Sequence, residues 1–220
     1  MTKLRNMLLA LMFSVATTPL FASGDDFAGP YIAVVGSSVG VELDGSTTDS
    51  NSEVHKGNAG MFALAAGVEA GYTIPSGGNG FVTIAASFNP GQAEITLDNG
   101  ASNKTNTADV SIELEDVWSV SISPGYAVSE SSAIYVKLGY AEAGLVVVGD
   151  VTKLDSMDGT QVAIGTKSLL PSGMFIQTEA GMVDYDSIKL TGLGNYIDTT
   201  NTATADPTVA YGSLTIGYKF

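Results

Sequence analysis

Thr208-Val209-Ala210-Tyr211-Gly212-Ser213-Leu214-Thr215-Ile216-Gly217-Tyr218-Lys219-Phe220 is the last segment of the chain, and its alternation decides the fold. Even positions carry Leu214, Ile216, Tyr218 and Phe220, while odd positions carry Ser213, Thr215, Gly217 and Lys219. Successive side chains of a strand point to opposite faces. The segment therefore predicts a strand with one apolar face and one polar or minimal face, ending on an aromatic residue.

The same period recurs upstream. In the first strand Tyr31, Ala33, Val35, Val39 and Val41 are read as the apolar face, opposite Gly36, Ser38, Gly40 and Glu42. In the second, Phe62, Leu64, Ala66, Val68, Ala70, Tyr72 and Ile74 oppose Gly67, Glu69, Gly71 and Thr73. The third sets Val82, Ile84, Ala86 and Phe88 against Thr83, Ala85 and Ser87. The fourth sets Trp118, Val120, Ile122 and Tyr126 against Ser119, Ser121 and Ser123. Above Trp118 that pattern weakens, because Asp116 falls on the apolar parity, which reads as a bulge or as a part standing above a membrane. The fifth sets Ile134, Val136, Leu138 and Tyr140 against Tyr135, Lys137 and Gly139. The sixth sets Val162 and Ile164 against Gln161, Gly165 and Lys167, and the seventh sets Met174, Ile176, Ala180 and Met182 against Gln177, Glu179 and Gly181.

Two kinds of connection separate these strands. Short Gly-, Pro- and Ser-containing turns fall at Pro75–Asn79, Ser129–Ser132 and Leu170–Gly173. Longer polar stretches, expected to be loops, fall at Asp44–Asn58, Gly91–Ala108, Gly149–Asp158 and Asp184–Asp206. Short turns alternating with long loops are the layout of an up-and-down barrel. The expected fold is all-β: an eight-stranded antiparallel up-and-down transmembrane β-barrel, preceded by a cleavable signal peptide.

That leader begins Met1-Thr2-Lys3-Leu4-Arg5, continues through the apolar run from Met7 to Ala16, and reaches small residues at Ala22 and Ser23. A basic start, a short apolar centre and a small-residue boundary make a secretory signal; the run is too short to span a bilayer. Cleavage is expected after Ala22 or Ser23, giving a signal over 1–22 and a barrel domain over 23–220. The chain holds no Cys, so neither a disulfide framework nor a thiolate metal site is expected. Beyond the leader the basic residues are seven lysines, facing 23 acids. Such a charge balance repels nucleic acid and polyanions and reads as solvated acidic loops.

Tyr31, Tyr72, Tyr126, Tyr218 and Phe220 fall on the parity read as outward, near a chain end or a short turn. They are expected to form the membrane-interface aromatics, because a tyrosine ring has an apolar body and a polar tip. A lipocalin-like soluble barrel, with its apolar face inward, remains the alternative. Glu42, Glu69, Lys137, Lys167, Glu179 and Lys219 fall on the parity read as inward. Buried charges must pair, so an interior ion-pair network of Glu69 and Glu179 with Lys137, Lys167 and Lys219 is expected, either as a packed plug or as a gate.

The first strand from Phe27-Ala28-Gly29-Pro30-Tyr31, the segment Ile134–Tyr140 and the closing Leu214–Phe220 together resemble the small OmpA/OmpX-like, opacity-type outer-membrane barrels. The resemblance implies residence in the bacterial outer membrane, contact with its lipid and lipopolysaccharide, and recognition of the strand ending in Phe220 by the barrel-assembly machinery. A peptidoglycan-binding domain of the OmpA kind is not expected after Phe220. Catalytic chemistry is sparse. His55, the single histidine, reads as a solvated loop residue. The lipid A deacylase pattern needs a late-strand His that this chain lacks. The omptin pattern needs a longer barrel. His55 beside Ser50 and Ser52 leaves a palmitoyltransferase-like reading open. Asp150, Asp155 and Asp158 form a weak candidate for a surface cation, without the spacing of a calcium loop. No catalytic residue, cofactor or metal is therefore assigned. The function expected is a non-enzymatic envelope protein with acidic loops for an extracellular partner, and the alternative is a narrow channel gated by interior Glu–Lys pairs.

Overall fold

The computed structural model describes residues 22–48, 54–90, 93–97, 110–148, 153–191 and 202–220. All of the expected leader except Ala22, and the tips of the four long polar stretches, lie outside these residues. Ten strand segments follow in chain order: β1 (Gly29–Thr48), β2 (Val54–Gly77), β3 (Gly80–Asn89), β4 (Ala93–Leu97), β5 (Val110–Ser129), β6 (Ser132–Val148), β7 (Lys153–Leu169), β8 (Met174–Tyr185), β9 (Ile188–Thr191) and β10 (Thr202–Lys219). β4 continues β3 along the same edge of β5, and β9 continues β8 along β10. The wall thus has eight staves. Each pairs antiparallel with its sequence neighbours, and β1 closes the ring by pairing with β10 from Tyr31↔Lys219 to Thr48↔Thr202.

The closing pair also decides which side of β1 is which. Directly opposed residues of an antiparallel pair share a face. Leu214, Ile216 and Tyr218 of β10 point outward, so their partners Gly36, Val34 and Ile32 do too. Ile32 and Val34 are 57% and 61% exposed, whereas Tyr31, Ala33 and Val41 are buried inside the barrel. The expectation for this strand is therefore reversed: Tyr31 is an interior residue and not a membrane-interface aromatic, and Glu42 is exposed on the outer parity. β1 has apolar residues on both parities, because the interior it faces is itself partly apolar. The other strands present outward the sets their alternation predicts, with Tyr72, Tyr126, Tyr218 and Phe220 exposed near the short-turn end. Trp118 and Tyr140 stand higher, their rings 5.6 Å apart. An outer surface so apolar between aromatic girdles belongs in lipid, and this excludes the lipocalin-like arrangement.

The strands also run further than expected. Asp44–Asn58, read as a loop, is mostly a continuation of the β1–β2 hairpin, with Asp44↔Asn58 and Thr48↔Val54 in register. His55 lies in β2 opposite Thr47, and its side chain is outside the described set. About 9–11 residues carry a strand across the apolar layer, so the 20 residues of β1 and 24 of β2 leave a large part of each beyond it. There the sequence alternation fades, and polarity alone no longer distinguishes strand from loop. At Asp116 the backbone takes a positive φ of 49° and the β5–β6 register shifts between Glu115 and Trp118, which is the bulge the sequence pattern indicates.

The interior is filled at three levels. At the short-turn end a 3₁₀ turn, Gly24–Phe27, lies across the mouth. Its Phe27 is fully buried and stacked on Phe81, with Ala127 and Ala133 beside it. At the loop end Val41, Ala141, Ala143, Met157, Val183, Tyr185 and Val209 form an apolar layer. Between them lie the charges. Interior aromatics are accommodated by glycine: Tyr31, Phe81, Tyr135, Phe175, Tyr185 and Tyr211 lie in register opposite Gly71, Gly125, Gly165, Gly217, Gly159 and Gly181. A Cβ on Gly165 would stand 2.3 Å from the Tyr135 ring, and one on Gly217 would stand 2.3 Å from Phe175. Each ring occupies the space that a Cβ on its partner glycine would take, so an eight-stranded bore holds six large side chains without widening.

Ile122 faces lipid midway between Tyr126 and Trp118. Ile122→Arg should destabilise the lipid-inserted barrel by roughly 2–4 kcal/mol, as expected for a midplane cation, measured by reversible unfolding in lipid vesicles.

Candidate functional site

Three elements on different sides of the ring bring charges together at mid-height. β2 contributes Glu69, β6 contributes Lys137 and β8 contributes Glu179, all buried and all on the inward parity of their strands. Lys137 Nζ lies 2.8 Å from Glu179 Oε2 and 3.4 Å from Glu69 Oε2. Tyrosine hydroxyls donate to both carboxylates. Tyr31 donates to Glu69 Oε1 at 2.8 Å, Tyr135 to Glu179 Oε2 at 2.9 Å, and Tyr211 to Glu179 Oε1 at 2.7 Å. Gln161 Nε2 in turn donates to Tyr211 Oη at 2.7 Å. The direction of that last bond follows from the others, because a carboxylate only accepts, the Tyr211 proton is committed to Glu179, and its oxygen must receive from the amide.

The cluster satisfies the requirement that buried charges be both paired and hydrogen-bonded. Its two carboxylates and one ammonium are held by three phenols whose rings rest on Gly71, Gly165 and Gly181. The glycines thus set the height of the tyrosine hydroxyls, and the hydroxyls orient the carboxylates toward Lys137. Glu179 is the better-supplied acceptor. Glu69 receives only one short bond, and its contact with Lys137 is loose.

The other expected members of the network lie elsewhere. Among the described residues, Lys167 and Lys219 form no ion pair with either carboxylate. Lys167 Nζ sits 4.2 Å from the Tyr31 ring centroid and 4.1 Å from that of Phe175, a cation–π arrangement one level nearer the short turns. Lys219 donates to the carbonyl of Asp26 in the 3₁₀ turn and so ties the closing strand to the N-terminal stopper. The reason is reach. Both lysines start from positions near the short-turn end, where aromatic faces and a free carbonyl are closer than the mid-height carboxylates. Sequence reasoning also missed Tyr31, Tyr135 and Tyr211 as partners of the carboxylates. The available signal was an inward-parity tyrosine with a glycine at the paired position, which becomes readable only once the register is known. Asp158 is exposed on the outer face, while the side chains of Asp150 and Asp155 are not among those described.

No protein-family model and no curated protein sequence matches this chain. Solved structures do match. The outer membrane protein OprG from Pseudomonas aeruginosa is 14% identical, with a TM-score of 0.52 over 88% of this chain and 96% of that one. Ail, the attachment invasion locus protein of Yersinia pestis, is 13% identical with a TM-score of 0.44, covering 88% and 99%. The outer membrane protease OmpT from Escherichia coli is 8% identical with a TM-score of 0.42, covering 94% and 99%. At these identities the likeness concerns architecture, and the OprG superposition carries it: the fold is that of the small bacterial outer-membrane β-barrels.

Lys137→Met should cost about 3–5 kcal/mol, the usual result of leaving buried carboxylates without their cation. Adding Glu69→Gln and Glu179→Gln to it should recover most of that loss. Both effects are read from urea midpoints in lipid vesicles, and an unchanged midpoint for the single variant would show that the cluster does not support the barrel.

Proposed function

We propose that the protein is a non-enzymatic outer-membrane barrel that stabilises the envelope and presents acidic loop-end extensions for interaction outside the cell. The observation that carries this reading is the filled interior. The 3₁₀ turn with Phe27, the Lys137 cluster and the apolar layer around Met157 occupy the bore at successive heights, while the outer wall is apolar. A bore occupied at three levels favours a sealed barrel over the gated-channel alternative. The outer leaflet's lipid and lipopolysaccharide are the partners proposed for the apolar wall and its aromatic girdles. The assembly machinery is the partner proposed for β10 and the Phe220 that follows it, which is 68% exposed and donates its backbone N–H to the Pro30 carbonyl. Removal of the leader after Ala22 or Ser23 fits the packing of Gly24, whose N–H donates to the Gly78 carbonyl at 2.9 Å. Exposed Asp44, Asp116, Asp158, Asp184 and Asp206 near the loop end make the extracellular surface acidic and direct it toward cationic or neutral partners.

The test separates envelope support, surface interaction and conduction. Cells lacking the protein should become more permeable to a hydrophobic dye. A variant with the loop tips replaced by short turns should restore the barrier without restoring any surface binding. Purified protein in planar bilayers should give no steady conductance steps; regular steps would replace the structural reading by the channel.

A further inference from the structure

A cavity of about 160 Å³ lies inside the barrel directly above the Lys137 cluster. Its floor carries Glu69, Lys137 and Glu179, and its wall is largely apolar, with Val39, Ala141, Val183 and Val209 contributed by four different strands. Val41, Ala143 and Met157, one inward position further toward the loops, pack in one apolar layer with Ala141, Val183 and Val209. Membrane-barrel interiors are ordinarily polar, so an apolar chamber on a charged floor needs an explanation that packing alone does not supply.

The volume matches the roughly 150 Å³ of an engineered apolar cavity that stays dry and takes up benzene. The floor adds a polar requirement. A carboxylate offers about four acceptor sites, and Glu69 is given one short bond from Tyr31 and one loose contact from Lys137 at 3.4 Å. Gln161, also on the lining, has its buried Oε1 without a hydrogen-bond partner among the described residues, so the unmet capacity of the chamber is for a hydrogen-bond donor. A ligand anion would confront two carboxylates, and a ligand cation would confront Lys137, which already stands between them. The remaining class is neutral. We propose that this chamber is a binding site for small neutral apolar molecules of about benzene size that carry one hydrogen-bond donor, of which phenol is the simplest, with the donor directed at Glu69. This site is independent of the envelope role: a barrel without ligand would still seal and still present its loops.

The experiment uses the full barrel in lipid nanodiscs with methyl-labelled valine. Phenol, toluene, benzylammonium and benzoate are titrated while the Val183 and Val209 methyls are followed by NMR, with the lipid-facing Val34 and Val120 methyls reporting partition into the bilayer. The expected result is saturable shifts at Val183 and Val209 with phenol. Its affinity should exceed that of toluene, which matches its shape without the hydroxyl, by about tenfold, the worth of one hydrogen bond to a charged acceptor. Ala141→Leu, and separately Ala65→Leu on a different strand, should abolish saturation while the barrel still resists unfolding in unheated SDS. The proposal is overturned if the interior methyls shift only in proportion to the lipid-facing ones, if toluene or benzylammonium binds as tightly as phenol, or if saturation survives whichever cavity-filling variant folds.

Discussion

The pairing of β1 with β10 is the interaction on which the rest of the structure depends. In hydrocarbon every backbone N–H and C=O must find a protein partner, so a β structure can span a membrane only as a closed ring. Without this seam two strands would present unpaired edges to lipid. The seam also transmits orientation. Because a one-residue slip would turn every side chain to the opposite face, the parity of β10 dictates that of β1, and through it where Tyr31 points. The membrane-facing surface and the interior cluster are thus two consequences of one register.

Inside the ring the same register matches large residues with minimal ones. Tyr31 lies over Gly71, Tyr135 over Gly165 and Tyr211 over Gly181. This is a steric requirement first, since an eight-stranded bore is only just wide enough for its side chains. It becomes an electrostatic one because the three phenols held in this way donate to Glu69 and Glu179. A charged triad stripped of those hydroxyls would be a poor use of the interior, since the cost of desolvating buried ions is offset only when geometry and hydrogen bonds are both good. Lys167 illustrates a second solution, an ammonium placed against aromatic faces.

Much of this was legible in the chain. From the second strand onward the alternation was clear because one face meets lipid and the other meets small or polar partners, as in Leu214 to Phe220 against Ser213 to Lys219. The bulge at Asp116 was legible because a carboxylate interrupted an apolar parity. Glu69, Glu179 and Lys137 could be assigned inward from the same period. The first strand misled because Tyr31, Ala33, Val39 and Val41 make its inward face as apolar as the outward face of Ile32 and Val34. Local pattern has no means of resolving that tie, and only the long-range pairing does. The upper halves of β1 and β2 were hidden for the converse reason. Beyond the apolar layer, strand residues such as Asp44 and Ser46 continue no apolar–polar alternation. The destinations of Lys167 and Lys219 depend on distances across the bore, which no linear period encodes.

The chain's lack of cysteine makes the seam directly measurable. Val34→Cys with Ile216→Cys places two thiols at directly opposed outward positions of β1 and β10, and paired Cα atoms lie within the range a disulfide bridges. In membranes containing the folded protein, oxidation should cross-link this pair efficiently, whereas Ala33→Cys with Ile216→Cys, whose side chains point to opposite faces, should not cross-link. Cross-linking of the second pair in place of the first would mean a register shifted by one residue, returning Tyr31 to the lipid and dissolving the interior cluster as described.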